Sequence, residues 1–240
     1  MERSDDTFRS TGLYLEDDHL TADDCKTLLG SIASYRREHG DVIVERDGGE
    51  RPLRYSVIDG LQVKRHLPEI MNIYGQVNEL VDHISGLGLV PLENERVGCN
   101  VNIMGTGNTY RWHYDRNAVT AILYLNDVKG GETECYPNYR ISLGGNKFSK
   151  LQKSLDRVMG QKFVRSTLGK QATVFPKAGR LLVMRGDRCL HSVRPVTGND
   201  ERINIIMSYD LPGRKFSVDE RLDGYLYSRE RADSSDPNYV

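Results

Sequence analysis

The chain has 240 residues, 33 Lys and Arg against 34 Asp and Glu, a formal net charge of −1, and 38% apolar and 28% charged residues. That length suits one large domain with a substantial core, and the near-neutral balance offers no global basic field for nucleic acid. No apolar run approaches the roughly 20 residues of a membrane span, the N-terminal MERSDDTFRS has no signal-peptide core, and four dispersed cysteines without a CxxC pair argue against a structural zinc site or a disulfide scaffold and for reduced thiols in a cytoplasm.

Residues 20–40 read as a helix with Thr21 as N-cap, because Cys25, Leu28, Leu29 and Ile32 recur at helical spacing. RYSVIDG (54–60) reads as a short strand ending in a turn. A second helix is expected over 67–88, with Pro68 in its first turn and an apolar stripe from Ile70 to Ile84. After it the pattern changes. Segments 96–105, 118–127, 131–137, 172–187, 189–195 and 203–211 are short, β-rich and divided by Gly, Pro, Asn and Asp. Two helices leading into short strands predict an α+β chain whose core is a jelly roll, a double-stranded β-helix with the N-terminal helices on one sheet. Residues 1–216 would form the single domain. An insertion over 138–170 carries Leu151, Leu155, Val158 and Met159 at helical spacing and many basic residues, among them Lys147, Lys150, Lys153 and Arg157, with Asp156 its one acid. It is either a solvated excursion or a lid over a site. Residues 217–240 read as a polar, loosely held tail.

The stretch YRWHYDRN (110–117) holds His113 and Asp115 two apart. In a strand, positions i and i+2 project to one side, so both would face inward while Trp112 and Tyr114 face outward. A lone His-x-Asp is weak, but His191 stands on a late strand, where a return strand would pass the first. Two imidazoles and one carboxylate on one face of an ion make the 2-His-1-carboxylate arrangement of non-haem Fe(II) oxygenases. His19, His39, His66 and His83 fall in charged helical or loop segments and read as surface histidines. Arg202, eleven residues after His191, would enter the barrel one strand away. Its planar fork suits a carboxylate.

From about Val97 to Leu211 the sequence resembles the 2-oxoglutarate/Fe(II)-dependent oxygenases, in particular their prolyl-4-hydroxylase-like branch and its stand-alone small-molecule and amino-acid hydroxylases. The resemblance rests on His113-x-Asp115, YLND (124–127), GGET (130–133), FPKAGRLLVM (175–184), LHSVRPV (190–196), Arg202 and SYD (208–210), in order and spacing. It implies His113, Asp115 and His191 as iron ligands, Arg202 as the clamp on the distal carboxylate of 2-oxoglutarate, and Tyr124 as a hydrogen-bond donor to that carboxylate. The cofactors implied are Fe(II), 2-oxoglutarate and O2. Where the family often has an aromatic residue on the preceding strand, the inward candidates here are Asn102 and Met104. The insertion is longer than in peptide-modifying members. Halogenases of the family replace the carboxylate ligand by Gly or Ala. Asp115 is intact, which favours a hydroxylase.

The expected reaction is oxidation of an unactivated C–H bond, with succinate and CO2 as coproducts, on a small metabolite such as a free amino acid or natural-product intermediate. Arg54, Tyr110, Arg116 and Asn204 are the substrate-binding candidates, and Arg54 would hold a carboxylate of an anionic or zwitterionic substrate. A peptide hydroxylase and a non-catalytic metal-binding β-barrel remain as alternatives. Nothing in the sequence addresses the oligomeric state.

Overall fold

The computed structural model describes residues 2–48, 50–144, 149–214 and 226–227. Helix α1 (Glu2–Thr11) leads into β1 (Leu13–Glu16), and α2 (Ala22–His39) into the paired strands β2 (Val42–Arg46) and β3 (Leu53–Ile58). Helices α3 (Gly60–His66) and α4 (Pro68–Ser85), the short β4 (Val90–Pro91) and the helical turn α5 (Glu95–Gly98) follow. Then come β5 (Cys99–Met104), β6 (Tyr110–His113), β7 (Val119–Tyr124) and β8 (Thr133–Tyr136). Helices α6 (Lys150–Met159) and α7 (Lys162–Leu168) precede β9 (Ala172–Val174), β10 (Leu181–Met184), β11 (Leu190–Val193) and β12 (Arg202–Asp210).

The two expected helices are present and capped as their sequences require. Thr21 Oγ1 accepts the Asp24 amide at 3.1 Å at the start of α2. Pro68 opens α4, and Gly86 closes it at φ 65°, a left-handed cap that needs no Cβ. Sequence reading missed α1, β1, β2, α3, β4, α5 and α7, which are short or strongly charged.

The strands form two antiparallel sheets, as the jelly-roll expectation requires. The larger runs β1-β10-β7-β12-β5-β3-β2, with β4 beside the end of β12, and the smaller runs β6-β11-β8-β9. Alternation divides each central strand between two environments. Val101, Ile103, Val119, Ala121, Leu123, Ile205 and Met207 face outward and join Cys25, Leu28 and Ile32 of α2 and Ile70, Val77 and Val81 of α4 in the main core. The opposite face of the same strands carries Asn100, Asn102, Thr120, Arg202 and Asn204, all buried. At about 25 cal/mol per Å² of apolar surface, the outward face supplies the stability. The inward face is free to be polar.

The insertion packs on the outer face of the smaller sheet, where Trp112, Tyr114, Tyr136, Tyr139, Met159 and Leu190 form a separate cluster with Leu155 and Val164. None of its described residues lines the cavity discussed below, so its placement lends the lid reading no support. The expected apolar stripe is corrected in detail. Leu155 and Met159 pack inward, but Leu151 is 75% and Val158 55% exposed. The buried face of α6 instead presents Gln152 and Asp156. Asp156 takes Arg140 in an ion pair of 2.5 Å, and Gln152 bonds the backbone of Ile141 and Leu143. Partners outside the helix decide which stripe is buried. Lys147 lies outside the described residues. Within 217–240 only Leu226 and Tyr227 are described, and both line the cavity; the rest of the expected tail lies outside the described residues. No described helix is long and apolar enough to cross a membrane.

Removing Asp156 leaves the Arg140 guanidinium buried without its carboxylate. Asp156→Ala is expected to cost about 3–5 kcal/mol, whereas Leu151→Ala changes stability by less than about 0.5 kcal/mol. The urea midpoints of the two variants check this ranking.

Candidate metal centre

Strand β11 runs antiparallel to β6 with His191 directly opposite His113. Both side chains point inward, and their rings lie 4.1 Å apart between centroids. Asp115 follows β6, and its amide bonds the Gly186 carbonyl at 3.0 Å. Asp115 Oδ1 lies 3.3 Å from His113 Nε2 and 3.7 Å from His191 Nε2. All three candidate ligand atoms fall within 4.8 Å of one another. An ion bonded at about 2.1 Å to three mutually perpendicular ligands sets them about 3 Å apart, so the donor set fits one ion with little movement. Among the described residues this is the only such cluster of His, Cys, Asp and Glu.

The surroundings fix the orientation of each donor. His113 Nδ1 donates to the Arg111 carbonyl at 2.9 Å, and His191 Nδ1 to the Cys189 carbonyl at 3.0 Å. A carbonyl only accepts, so each proton sits on Nδ1 and each Nε2 lone pair faces the site. Thr120 donates to Asp115 Oδ2 at 2.5 Å and accepts from Asn117 Nδ2 at 2.9 Å. Oδ2 is thereby held, and Oδ1 is turned toward the imidazoles. Gly186 permits this closeness, since a Cβ there would lie 2.8 Å from Asp115 Oδ2 and 2.7 Å from Thr120 Oγ1. Burial pushes the His191 pKa down to about 4, and His113 adds to the shift, so the ring is neutral and ready to ligate. Burial alone would raise the Asp115 pKa. The hydrogen bond from Thr120, and the charge that His191 or His113 brings whenever either ring takes a second proton, outweigh it and hold the carboxyl below its usual range.

On the larger sheet, Arg202 is 2% exposed. It donates to Asn204 Oδ1 through Nη1 and to Thr133 Oγ1 at 3.1 Å through Nη2, and its guanidinium lies 5.1 Å over the Tyr124 ring. No carboxylate pairs with it among the described residues. Its Nε and the Asn204 Nδ2 have no hydrogen-bond partner. Gly131, at φ 68°, gives it room, because a Cβ there would come within 2.8 Å of Arg202 Cδ. A buried cation and two orphaned donors make a receptor for an anion, since an isolated buried charge costs several kcal/mol.

The metal cluster and Arg202 line one cavity of about 900 Å³, counted out to its mouth. Asn102, Tyr110, Arg116 and Asn204 line it as well, with Asn102 paired across from Asn204. Two expectations change. Arg54 faces solvent and pairs with Asp47 at 3.6 Å. The inward residues of β3 are its neighbours Tyr55 and Val57, because a period of two puts position 54 on the other side. Tyr124 is fully buried, bonds Thr133 Oγ1 at 2.7 Å and does not line the cavity. The hydroxyl that reaches the cavity is that of Thr133. Thr120 and Thr133 were passed over in the sequence, although strand parity with Tyr124 was a usable signal for Thr120. Tyr227 carried none.

Residues 99–209 match the family model of the 2OG-Fe(II) oxygenase superfamily. No curated protein matches the chain. Among solved structures, the non-heme alpha ketoglutarate dependent carbocyclase SnoK from nogalamycin biosynthesis superposes with a TM-score of 0.68 at 13% identity, over 87% of this chain and 83% of that one. A Pseudomonas putida prolyl-4-hydroxylase gives 0.59 at 19% identity, over 88% and 99%. HygX from Streptomyces hygroscopicus, solved with nickel, 2-oxoglutarate and hygromycin B, gives 0.60 at 13% identity, over 89% and 88%. At these identities the likeness is one of fold.

Thr120→Val removes the hydrogen bond that orients Asp115 and keeps the side-chain volume. It is expected to weaken divalent-metal binding about 10- to 100-fold, while His191→Ala abolishes it. Anaerobic calorimetric titration with Fe(II), beside an unchanged melting midpoint, checks both.

Proposed function

We propose that this chain is a 2OG-Fe(II) oxygenase, since residues 99–209 match that superfamily's model, and that with Fe(II), 2-oxoglutarate and O2 it oxidises an unactivated C–H bond of a small molecule. Hydroxylation is the default outcome. Desaturation, epimerisation and ring closure draw on the same chemistry. The observation that carries the reading is Arg202, a buried guanidinium without a carboxylate partner among the described residues, in the same cavity as the His113, Asp115 and His191 cluster. A metal-binding barrel without turnover has no use for that cation.

In this reading His113 Nε2, His191 Nε2 and Asp115 Oδ1 hold the iron. When bound, Fe(II) and 2-oxoglutarate would supply O2 activation and C–H oxidation, with succinate and CO2 as the expected coproducts. Arg202, with Asn204 and Thr133 beside it, binds the distal carboxylate and so fixes the approach of the 2-oxo acid. Ile122, Val193 and Ile206 line the cavity between these polar groups and exclude water. Natural-product substrates are favoured over a peptide by SnoK, from nogalamycin biosynthesis, and HygX, solved with hygromycin B, among the similar structures. The anionic or zwitterionic character expected of the substrate loses its main support with Arg54 in solvent.

Arg202→Ala removes one partner of a buried charge pair, worth about 2–5 kcal/mol. At about 1.4 kcal/mol per decade, 2-oxoglutarate should bind roughly 30- to several-thousand-fold more weakly. Succinate formation from Fe(II), 2-oxoglutarate and O2 should be present in the wild type and fall in step. Wild-type protein that binds Fe(II) yet forms no succinate with any candidate metabolite would reduce the chain to a metal-binding barrel.

A further inference from the structure

Leu226 and Tyr227 are remote in sequence from every strand, yet both line the cavity. The Tyr55 hydroxyl donates to the Leu226 carbonyl at 2.7 Å. Asn100 Nδ2 donates to the Tyr227 hydroxyl at 3.2 Å. Asn100 shares the inward face of β5 with Asn102 and is 3% exposed. The oxygen it meets has therefore entered the barrel. The two residues also pack against a cluster that includes Tyr55, Val57, Met104 and Val193. From there an aromatic surface leads to the metal cluster. The Tyr55 and Tyr110 rings stack at 5.1 Å and 29°, and Tyr110 lies 4.9 Å from the His113 ring.

The polar groups on this side are neutral: Tyr55, Asn100, Tyr110, Ser208 and Tyr227. Among the described lining residues Arg116 is the one ionised group beyond the metal cluster and Arg202, and it already has an interaction partner. Apart from Arg116, no described lining residue on this side offers a charged substrate a counter-charge for the hydration it would lose, which is costly. A ring with a neutral oxygen would stack on Tyr110, accept from Asn100 Nδ2 and take the place of the Leu226 carbonyl as acceptor for the Tyr55 hydroxyl.

We propose that Leu226 and Tyr227 occupy the primary-substrate subsite of the ligand-free chain as an internal ligand, and that the substrate displacing them presents an uncharged ring carrying a hydroxyl or carbonyl oxygen. The inference rests on the small-molecule reading above. Tyr227 shows what the subsite accepts, because its phenol already fills it. The segment also keeps the aromatic surface from water until a ring of the same chemistry arrives.

The test uses p-cresol, the isolated side chain of Tyr227, and its charged counterpart 4-methylbenzoate, titrated calorimetrically into the full-length chain. Both metal-free protein and anaerobic protein with Fe(II) and 2-oxoglutarate are measured, so the readout is binding and not turnover. Removing a tethered competitor present at an effective concentration near millimolar should tighten p-cresol about ten-fold or more in Tyr227→Ala. Tyr227→Leu, which keeps apolar packing, is the second variant and should give the same ranking. Asn100→Ala in the Tyr227→Ala background should remove the gain, and in the protein loaded with Fe(II) and 2-oxoglutarate, where Arg202 is engaged, 4-methylbenzoate should bind more weakly than p-cresol. Equal p-cresol affinity in wild type and both Tyr227 variants overturns the internal ligand. Tighter binding of 4-methylbenzoate to the loaded protein overturns the uncharged class. Either result leaves iron binding and succinate formation as separate facts, so failure here is distinct from failure of the oxygenase reading.

Discussion

The antiparallel register that sets His191 opposite His113 is the constraint on which the rest depends. In this pairing both imidazoles point into the barrel and their Nδ1 atoms reach the carbonyls two residues back, at Arg111 and Cys189. A slip of one residue would turn His191 to the outer face, where Leu190 packs against Trp112 and Tyr136. The aromatic cluster outside the smaller sheet therefore holds the register that the metal cluster inside requires. The insertion contributes to this through Met159, Leu155 and the Arg140–Asp156 pair. Its place is behind the site, where it stiffens the strands that carry the ligands.

Much of the fold was legible because it rests on local pattern. The α2 and α4 stripes, the Thr21 cap and the change to short β-rich segments all express residue-by-residue chemistry, and the jelly roll follows from them. The inward pairing of His113 with Asp115, and the outward facing of Trp112 and Tyr114, followed from a period of two. Arg54 shows how the same rule misleads when the phase of a strand is unknown, since Tyr55 and Val57 take the inner side. On α6, Leu151 and Val158 read as core because apolar periodicity sees only its own helix. The buried stripe belongs to Gln152 and Asp156, whose partners at positions 140–143 make burial of polar atoms tolerable. Tyr227 was illegible for a stronger reason. Its partner Asn100 lies 127 residues away, and nothing local marks either as half of a pair.

The inner face carries its polar groups in an order that serves the proposed chemistry. Along β12, Arg202 and Asn204 come first, then Ile206, then Ser208, which is paired with Thr120 beside Asp115. One strand thus spans from the anion receptor to the metal cluster. The main core covers its other face through Ile203, Ile205, Met207 and Tyr209. Stability and chemistry are separated by strand parity. An uncompensated arginine can be buried because the cost is offset by a large apolar face one residue away, and a dicarboxylate is the natural ligand to relieve it.

Anomalous diffraction at the iron edge, from crystals grown anaerobically with Fe(II) and 2-oxoglutarate, tests the central claim most directly. The account predicts one strong peak about 2 Å from His113 Nε2, His191 Nε2 and Asp115 Oδ1, with the far carboxylate of 2-oxoglutarate on Arg202 and Asn204. A peak elsewhere, or a 2-oxo acid that leaves the Arg202 guanidinium unpaired, would contradict it.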